Sequence, residues 1–293
     1  MRRPEDPLDT VTDLQAATGT SHFVEANGVK LHYLDYGGAG RRPMLCVHGG
    51  GAHAHWFDFV APGLTPDHHV FSLDLRGHGD SAWAEPDTYS FKTWAEDVNA
   101  LVERLDLRDF VLIGHSMGGM ISLVYAAAYP GRVGRLVIVD TIMLMPMDRV
   151  SKMREFGATP AKGYATREEL VARYRLEPAE SHMAAPEVIR RMAVHSGRQD
   201  PDGRWRHKAD RRVYANFQQI AGVPLWERIK VPALVVRGER STRFRDEVLA
   251  EIRARAPQVQ MAEVPASDHH ITLDNPRGLV EVVRDFLENG GRR

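Results

Sequence analysis

Phe110-Val111-Leu112-Ile113-Gly114-His115-Ser116-Met117-Gly118-Gly119 decides how the chain reads. Four apolar residues give a buried strand, two glycines bracket a serine, and an apolar segment to Tyr129 continues at helical spacing until Pro130-Gly131 stops it. Strand, tight turn and helix are the setting in which G-x-S-x-G forms a nucleophile elbow. Gly114 and Gly118 leave no side chain where the turn brings backbone close to its neighbours. Ser116 is then held at the bend with its hydroxyl facing outward.

Working outward, the same apolar signature recurs. Met44–Val47, Val70–Leu73, Leu136–Val139, Ala233–Val236 and Met261–Val264 are short runs bounded by Gly, Asp or His, as expected of a parallel sheet buried on both faces. Ser21–Glu25 and Val29–Tyr36 flank Asn27-Gly28, a hairpin signal because both turn positions tolerate positive φ. Thr93–Leu105 carries Trp94, Val98, Leu101, Val102 and Leu105 on one helical stripe. Pro276–Leu287 opens with proline at a first helical position. Strand alternating with helix predicts an α/β fold with right-handed crossovers. The alternation stops between residues 143 and 224, where Arg167–Tyr174 and Pro186–Val194 read as helices. Fifteen Lys/Arg against ten Asp/Glu between Thr141 and Leu225 mark this stretch as a distinct surface. The expected organisation is a loose N-terminal tail over 1–20, a core of 21–142 and 225–293, and a helical cap over 143–224.

Whole-chain properties set the limits. The 293 residues are 43% apolar and 26% charged, an ordinary globular composition, with a formal net charge of −1. That balance gives no reason to expect a nucleic acid or membrane-surface partner; a small, largely apolar molecule is the expected partner, with a homodimer open. The single cysteine, Cys46, sits in an apolar strand and reads as a buried thiol. Neither a secretion signal nor a stretch approaching a membrane span is evident, so a soluble, cytoplasmic protein is expected.

A serine needs a base to attack near neutral pH, and 14 histidines compete for the role. Ser267-Asp268-His269-His270 follows the last apolar run and precedes the C-terminal helix. That places it at the sheet end where open α/β sheets bind ligands; on chemistry alone both histidines qualify. His48-Gly49-Gly50-Gly51 follows the strand Met44–Val47, and the N–H groups of Gly50 and Met117 are candidates for an oxyanion hole. In Asp74-Leu75-Arg76-Gly77-His78-Gly79-Asp80-Ser81 the polarity reads as structural, with Arg76 and Asp80 tying down a loop. No metal or cofactor is expected: His48, His53 and His55 lack a matching ligand set, and Gly37-Gly38-Ala39-Gly40 lacks the lysine and setting of a phosphate loop.

HGGG at 48–51, DLRGHGDS at 74–81, GHSMGG at 114–119 and SDHHITLDNP at 267–276, in that order, resemble the α/β-hydrolase superfamily over residues 21–287. The resemblance implies a mostly parallel sheet of about eight strands with an inserted helical cap. It also implies a base seven residues before the proline that opens the last helix, which selects His269 through Pro276. Most members place the acid in a G-x-x-D pattern, which here reads Gly238-Glu239-Arg240-Ser241. Two carboxylates stand in: Asp140, at the strand end from which one branch of the superfamily draws its acid, and Glu239, two residues early. The implied activity is hydrolysis of an ester or lactone. Carbon–carbon bond cleavage of dienoic diketones and cofactor-free perhydrolysis use the same triad, and a ligand-binding receptor on the scaffold is the reading from another class. Epoxide hydrolase and dehalogenase chemistry is disfavoured by serine at the elbow. Met143, Met145 and Trp56 are the candidates for lining a substrate pocket, with Met147 and Trp83 nearby in sequence.

Overall fold

A computed structural model of the chain describes residues 16–177 and 183–289. Eight strands form the central sheet: β1 (Thr20–Ala26), β2 (Val29–Asp35), β3 (Arg42–Val47), β4 (His68–Asp74), β5 (Phe110–His115), β6 (Val133–Val139), and, after an insertion that carries the small hairpin β7 (Gly197–Gln199) and β8 (Trp205–His207), β9 (Ala233–Gly238) and β10 (Val259–Val264). The order is β1-β2-β4-β3-β5-β6-β9-β10. In this sheet β2 pairs antiparallel with β1 and β4, and the other pairs are parallel.

Period-two geometry explains why continuous apolar runs were needed. Leu45, Val47, Leu112, Leu136, Ile138 and Val235 face one layer, while Met44, Cys46, Val111, Ile113, Val137 and Val236 face the other. Fully burying each such side chain contributes roughly 1.5–3 kcal/mol. Burial raises the Cys46 thiol well above its ordinary pKa, as its place in the core requires.

Helix α1 (Phe91–Arg104) starts at Ser90, whose hydroxyl accepts from the Thr93 N–H, and buries Trp94, Val98, Leu101 and Val102 on the first layer. Its one buried charge, Asp97, meets Arg76 in a two-pronged pair with both contacts at 2.5 Å and accepts from Asn27 at 2.9 Å. Arg76 and Asp80 thus hold the 74–81 loop through separate partners, Arg76 under the helix and Asp80 on Lys208 at 2.7 Å.

Helix α2 (Met117–Ala128) follows the elbow. Within 143–224 lie α3 (Met147–Ala158), α4 (Arg167–Arg173) and α5 (Pro186–His195), then β7–β8; none of these strands joins the central sheet. The insertion is tied down by Arg191 to Asp58 at 2.6 Å, Asp210 to Tyr89 at 2.8 Å, and Lys208 to Asp80. Helices α6 (Asp246–Arg255) and α7 (Pro276–Asn289) complete the chain.

The tail expected over 1–20 lies outside the described residues as far as 15. Beyond that the expectation is corrected: the Ala17 N–H donates to the Asp58 carbonyl at 2.8 Å, Arg191 donates to the Ala17 carbonyl at 3.1 Å, and Thr20 already belongs to β1. Among the described residues no helix is long and apolar enough to cross a membrane.

Two buried histidines are expected to make the fold sensitive to acid. Burial first, then repulsion from a second imidazole, His48 or His269, should that ring also protonate, pushes His78 and His115 from 6.5 down to about 3. The unfolded chain takes up these protons below its ordinary pKa and the folded chain does not, so stability is complete above that value and falls as pH drops toward the folded one. Each should cost about 2 kcal/mol by pH 5. A urea midpoint clearly lower at pH 5 than at pH 7.5 is expected; an unchanged midpoint would contradict it.

Candidate active site

The elbow is strained by design. Ser116 sits at φ 53°, ψ −118°, a region that costs a non-glycine residue of order 1–3 kcal/mol. The strain is held by backbone hydrogen bonds. The Ser116 N–H donates to Val139 at 2.9 Å, and its carbonyl accepts from Gly119 N–H and Thr141 Oγ1, both at 3.0 Å. Glycine is obligatory on either side: a Cβ on Gly114 would lie 2.4 Å from the Gly118 carbonyl oxygen, and one on Gly118 would lie 2.3 Å from that of His48.

Ser116, on this half-buried turn, meets the loop after β10. His269 Nε2 lies 2.9 Å from Ser116 Oγ, and His269 Nδ1 lies 2.6 Å from Asp140 Oδ2. Asp140 is fully buried at the end of β6, with φ 43° and its N–H donated to Val236 at 2.8 Å. The carboxylate holds the proton on Nδ1, which leaves Nε2 free to accept from the serine. Of the two candidate acids the structure brings Asp140 to the histidine. Glu239 is corrected: it is exposed, and its Oε2 accepts from the Ala266 N–H at 2.8 Å, so its carboxylate is spent on the turn after β10.

Ser241, which stands where a carboxylate was expected, has its own part. Its hydroxyl donates to Asp140 Oδ2 at 2.6 Å. The sequence shows a lost acid there; the fold shows a serine orienting the acid that replaces it. His270 is not in this chain of contacts. It packs edge-on to Trp56 and beside His115, with ring centroids 5.0 and 6.0 Å apart.

His115, passed over in the motif, fixes the base from below. Its Nε2–H donates to the His269 carbonyl at 2.8 Å, which leaves its Nδ1 unprotonated, as a strongly lowered pKa requires.

The glycine turn is set with equal care. The Leu75 N–H donates to His48 Nε2 at 3.1 Å, so the His48 proton is on Nδ1 and donates to the Gly49 carbonyl at 2.7 Å. Burial keeps His48 neutral by lowering its pKa. The Ala52 N–H also donates to the Gly49 carbonyl, at 3.3 Å. In a trans peptide C=O and N–H point opposite ways, so pinning the Gly49 carbonyl aims the Gly50 N–H away from His48. A Cβ on Gly49 would lie 3.1 Å from Ser116 Cβ, which sets the turn directly against the serine. Met117 opens α2, where the first N–H groups have no intrahelical partner.

The expected pocket lining is corrected in part. Met143 is 2% exposed and belongs to the core, where its sulfur and Met120 fill the space above Gly222. Trp56, 4% exposed, stacks under His115 rather than at an entrance. Both are apolar side chains that the insertion or the preceding loop covers. Met145 is half-buried, its N–H donated to Gln219 at 2.8 Å; Met147 is exposed. Trp83 donates to the Lys208 carbonyl at 2.7 Å and lies under Arg198.

Three groups of side chains have metal-like spacing among the described residues: His115/His269/His270, His55/Asp58/His195 and His32/Asp74/Asp80. None has the chemistry of a cation site. Both nitrogens of His269 are engaged, Asp58 faces the Arg191 guanidinium, and Asp74 is filled by Ala54 N–H, Asp80 N–H and His32.

Comparison with known proteins agrees with this geometry. A family model described as alpha/beta hydrolase fold matches residues 42–276. An esterase of Mycobacterium tuberculosis is 31% identical over 261 residues, covering 87% of this chain and 85% of that protein. The 2-(acetamidomethylene)succinate hydrolase of Mesorhizobium japonicum is 27% identical over 292 residues, 96% of this chain and 100% of that protein. A crystal structure of E-2-(acetamidomethylene)succinate hydrolase superposes with a TM-score of 0.81 at 23% identity, over 92% of this chain and 100% of that one, which shows a shared fold. With its elbow, its sheet order and a family match over most of its length, this chain belongs to the α/β hydrolase fold family and is a hydrolase.

Proposed function

We propose that the chain cleaves a carboxylic ester or lactone through an acyl-enzyme on Ser116. The observation that carries the reading is the unbroken line Ser116 Oγ–His269 Nε2, His269 Nδ1–Asp140 Oδ2, at 2.9 and 2.6 Å. Ser116 Oγ attacks the carbonyl carbon while His269 Nε2 takes its proton. The N–H groups of Gly50 and Met117 receive the oxyanion, and Asp140 stabilises the imidazolium. His269 returns the proton to the leaving alkoxide. Water then attacks the acyl carbon, His269 again acting as base, and the carboxylic acid leaves. Residues 143–224 act as a cap that excludes bulk water, strapped to the core by the Arg191, Lys208 and Asp210 contacts. The receptor reading rested on the serine at 241, and it loses that support once Asp140 stands beside His269.

The esterase relative supports ester chemistry, whereas relatives named for 2-(acetamidomethylene)succinate and N-formylmaleamate favour a second reading, hydrolysis of a small N-acyl carboxylate. A screen over acyl esters, lactones, N-acyl carboxylates and dienoic diketones, with Ser116→Ala as blank, separates them. Highest kcat/KM on esters or lactones is expected; turnover confined to the other classes would overturn the proposal.

The pinned glycine turn makes its own prediction. His48→Ala removes the shorter of the two bonds that pin the Gly49 carbonyl and should lower kcat by up to about 10²-fold, the scale of losing one oxyanion donor, with a smaller change in KM. Steady-state kinetics showing an unchanged kcat would remove His48 from the account.

A further inference from the structure

The insertion sends one phenol to the glycine turn. Tyr214 follows the short turn Arg211–Val213, which Asp210 caps by accepting from the Arg212 N–H. A Cβ on Gly50 would lie 2.6 Å from the Tyr214 hydroxyl, and one on Gly51 would lie 3.6 Å from it. The hydroxyl therefore sits beside Gly50, whose N–H points away from His48 in a turn set directly against the serine. It is firmly placed. The Tyr214 N–H donates to Arg211 at 3.0 Å, and its carbonyl accepts from Phe217 at 3.1 Å. Helix α3 packs so closely that a Cβ on Gly157 would lie 2.6 Å from the Tyr214 carbonyl carbon. Phe156 meets the ring edge-on at 5.9 Å. Among the described residues no hydrogen bond satisfies the hydroxyl, on a side chain that is only half-buried.

We propose that the Tyr214 hydroxyl is a third donor to the oxyanion, supplied by the insertion to complete the pair Gly50 N–H and Met117 N–H. This rests on the acyl-enzyme reading above. A tyrosine held in place by covalent neighbours and ring packing pays little to donate, and a donor aimed at developing charge acts on the transition state rather than on bound substrate. Burial, then the charge of Glu177, raises the phenol's pKa, so it keeps its proton in the working range. Unactivated alkyl esters, whose later transition states place most charge on the carbonyl oxygen, would depend on the third donor most; activated esters and strained lactones, with earlier transition states, would depend on it least.

Tyr214→Phe keeps the ring and removes the oxygen. The measurement is the second-order rate at which an alkyl fluorophosphonate phosphonylates Ser116, together with kcat and KM on an alkyl ester and the Tm. Phosphonylation and kcat should each fall about 10²-fold, with KM within about threefold and Tm unchanged, since the hydroxyl holds no other described residue. A labelling rate within twofold of the parent, a raised KM at unchanged kcat, or a fall that merely follows a lowered Tm would each overturn the assignment. A parent protein that is itself not labelled would instead bring down the acyl-enzyme reading on which it rests.

Discussion

Ser116→Ala is expected to lower kcat/KM by about 10⁶-fold, the scale of removing the nucleophile from a unit that works as one. His269→Ala should lose nearly as much, because the serine without its base is an ordinary alcohol. The fold should survive both changes: the elbow is held by the main-chain bonds of Ser116, and His269 is fixed through its carbonyl by His115. His270→Ala should be far milder in rate. His269 makes both the 2.9 Å contact to Ser116 and the 2.6 Å contact to Asp140, while His270 packs against Trp56. Stopped assays on purified variants, with circular dichroism as the folding control, decide this. A His270 variant as dead as the His269 variant would mean that the base is assigned to the wrong residue.

Asp140→Asn is expected to cost about 10⁴-fold in kcat, the scale seen when a triad acid becomes an amide. The amide leaves shape intact but cannot stabilise the imidazolium, and its oxygen and nitrogen compete over which tautomer the ring adopts. Ser241→Ala removes one donor from Asp140 Oδ2 and should cost about tenfold, since a hydrogen bond to a charged group contributes about 1.5–3 kcal/mol and only part of it acts on the transition state. Glu239→Gln should leave kcat unchanged, because its carboxylate serves the Ala266 N–H. Kinetics of the three variants give the ranking. Loss at Glu239 exceeding loss at Asp140 would place the acid on the other strand.

Why some of this could be read from residues and some could not follows from the kind of signal each leaves. Asn27-Gly28 predicts the β1–β2 hairpin because positive φ is demanded locally; Asn27 and Gly28 adopt φ 49° and 74°. The apolar runs predict the parallel strands, yet β4 extends to His68 and Asp74 because ladder hydrogen bonds continue into polar residues that periodicity ignores. The hairpin β7–β8 leaves almost no trace: its strands are three residues each, and only Asp202-Gly203 marks the turn. Ser116 and His269 are legible because a tight elbow and a late loop impose sequence on their neighbours. The partners of Asp97 and Asp140 are not, since Arg76 and Ser241 acquire their roles through contacts between distant segments, and the His48 tautomer that pins the Gly49 carbonyl is set by Leu75 from another loop. Tyr214 is the extreme case. It lies 98 positions after Ser116 in a stretch with no motif, and only the folded chain brings its hydroxyl to Gly50.

The central claim is that Ser116 becomes covalently acylated. Treating the protein with an alkyl fluorophosphonate and mapping the adduct by peptide mass spectrometry tests it directly. One adduct per chain is expected, on the peptide carrying Ser116, absent from Ser116→Ala and strongly slowed in His269→Ala. An adduct on any other residue, or undiminished labelling in Ser116→Ala, would contradict the account.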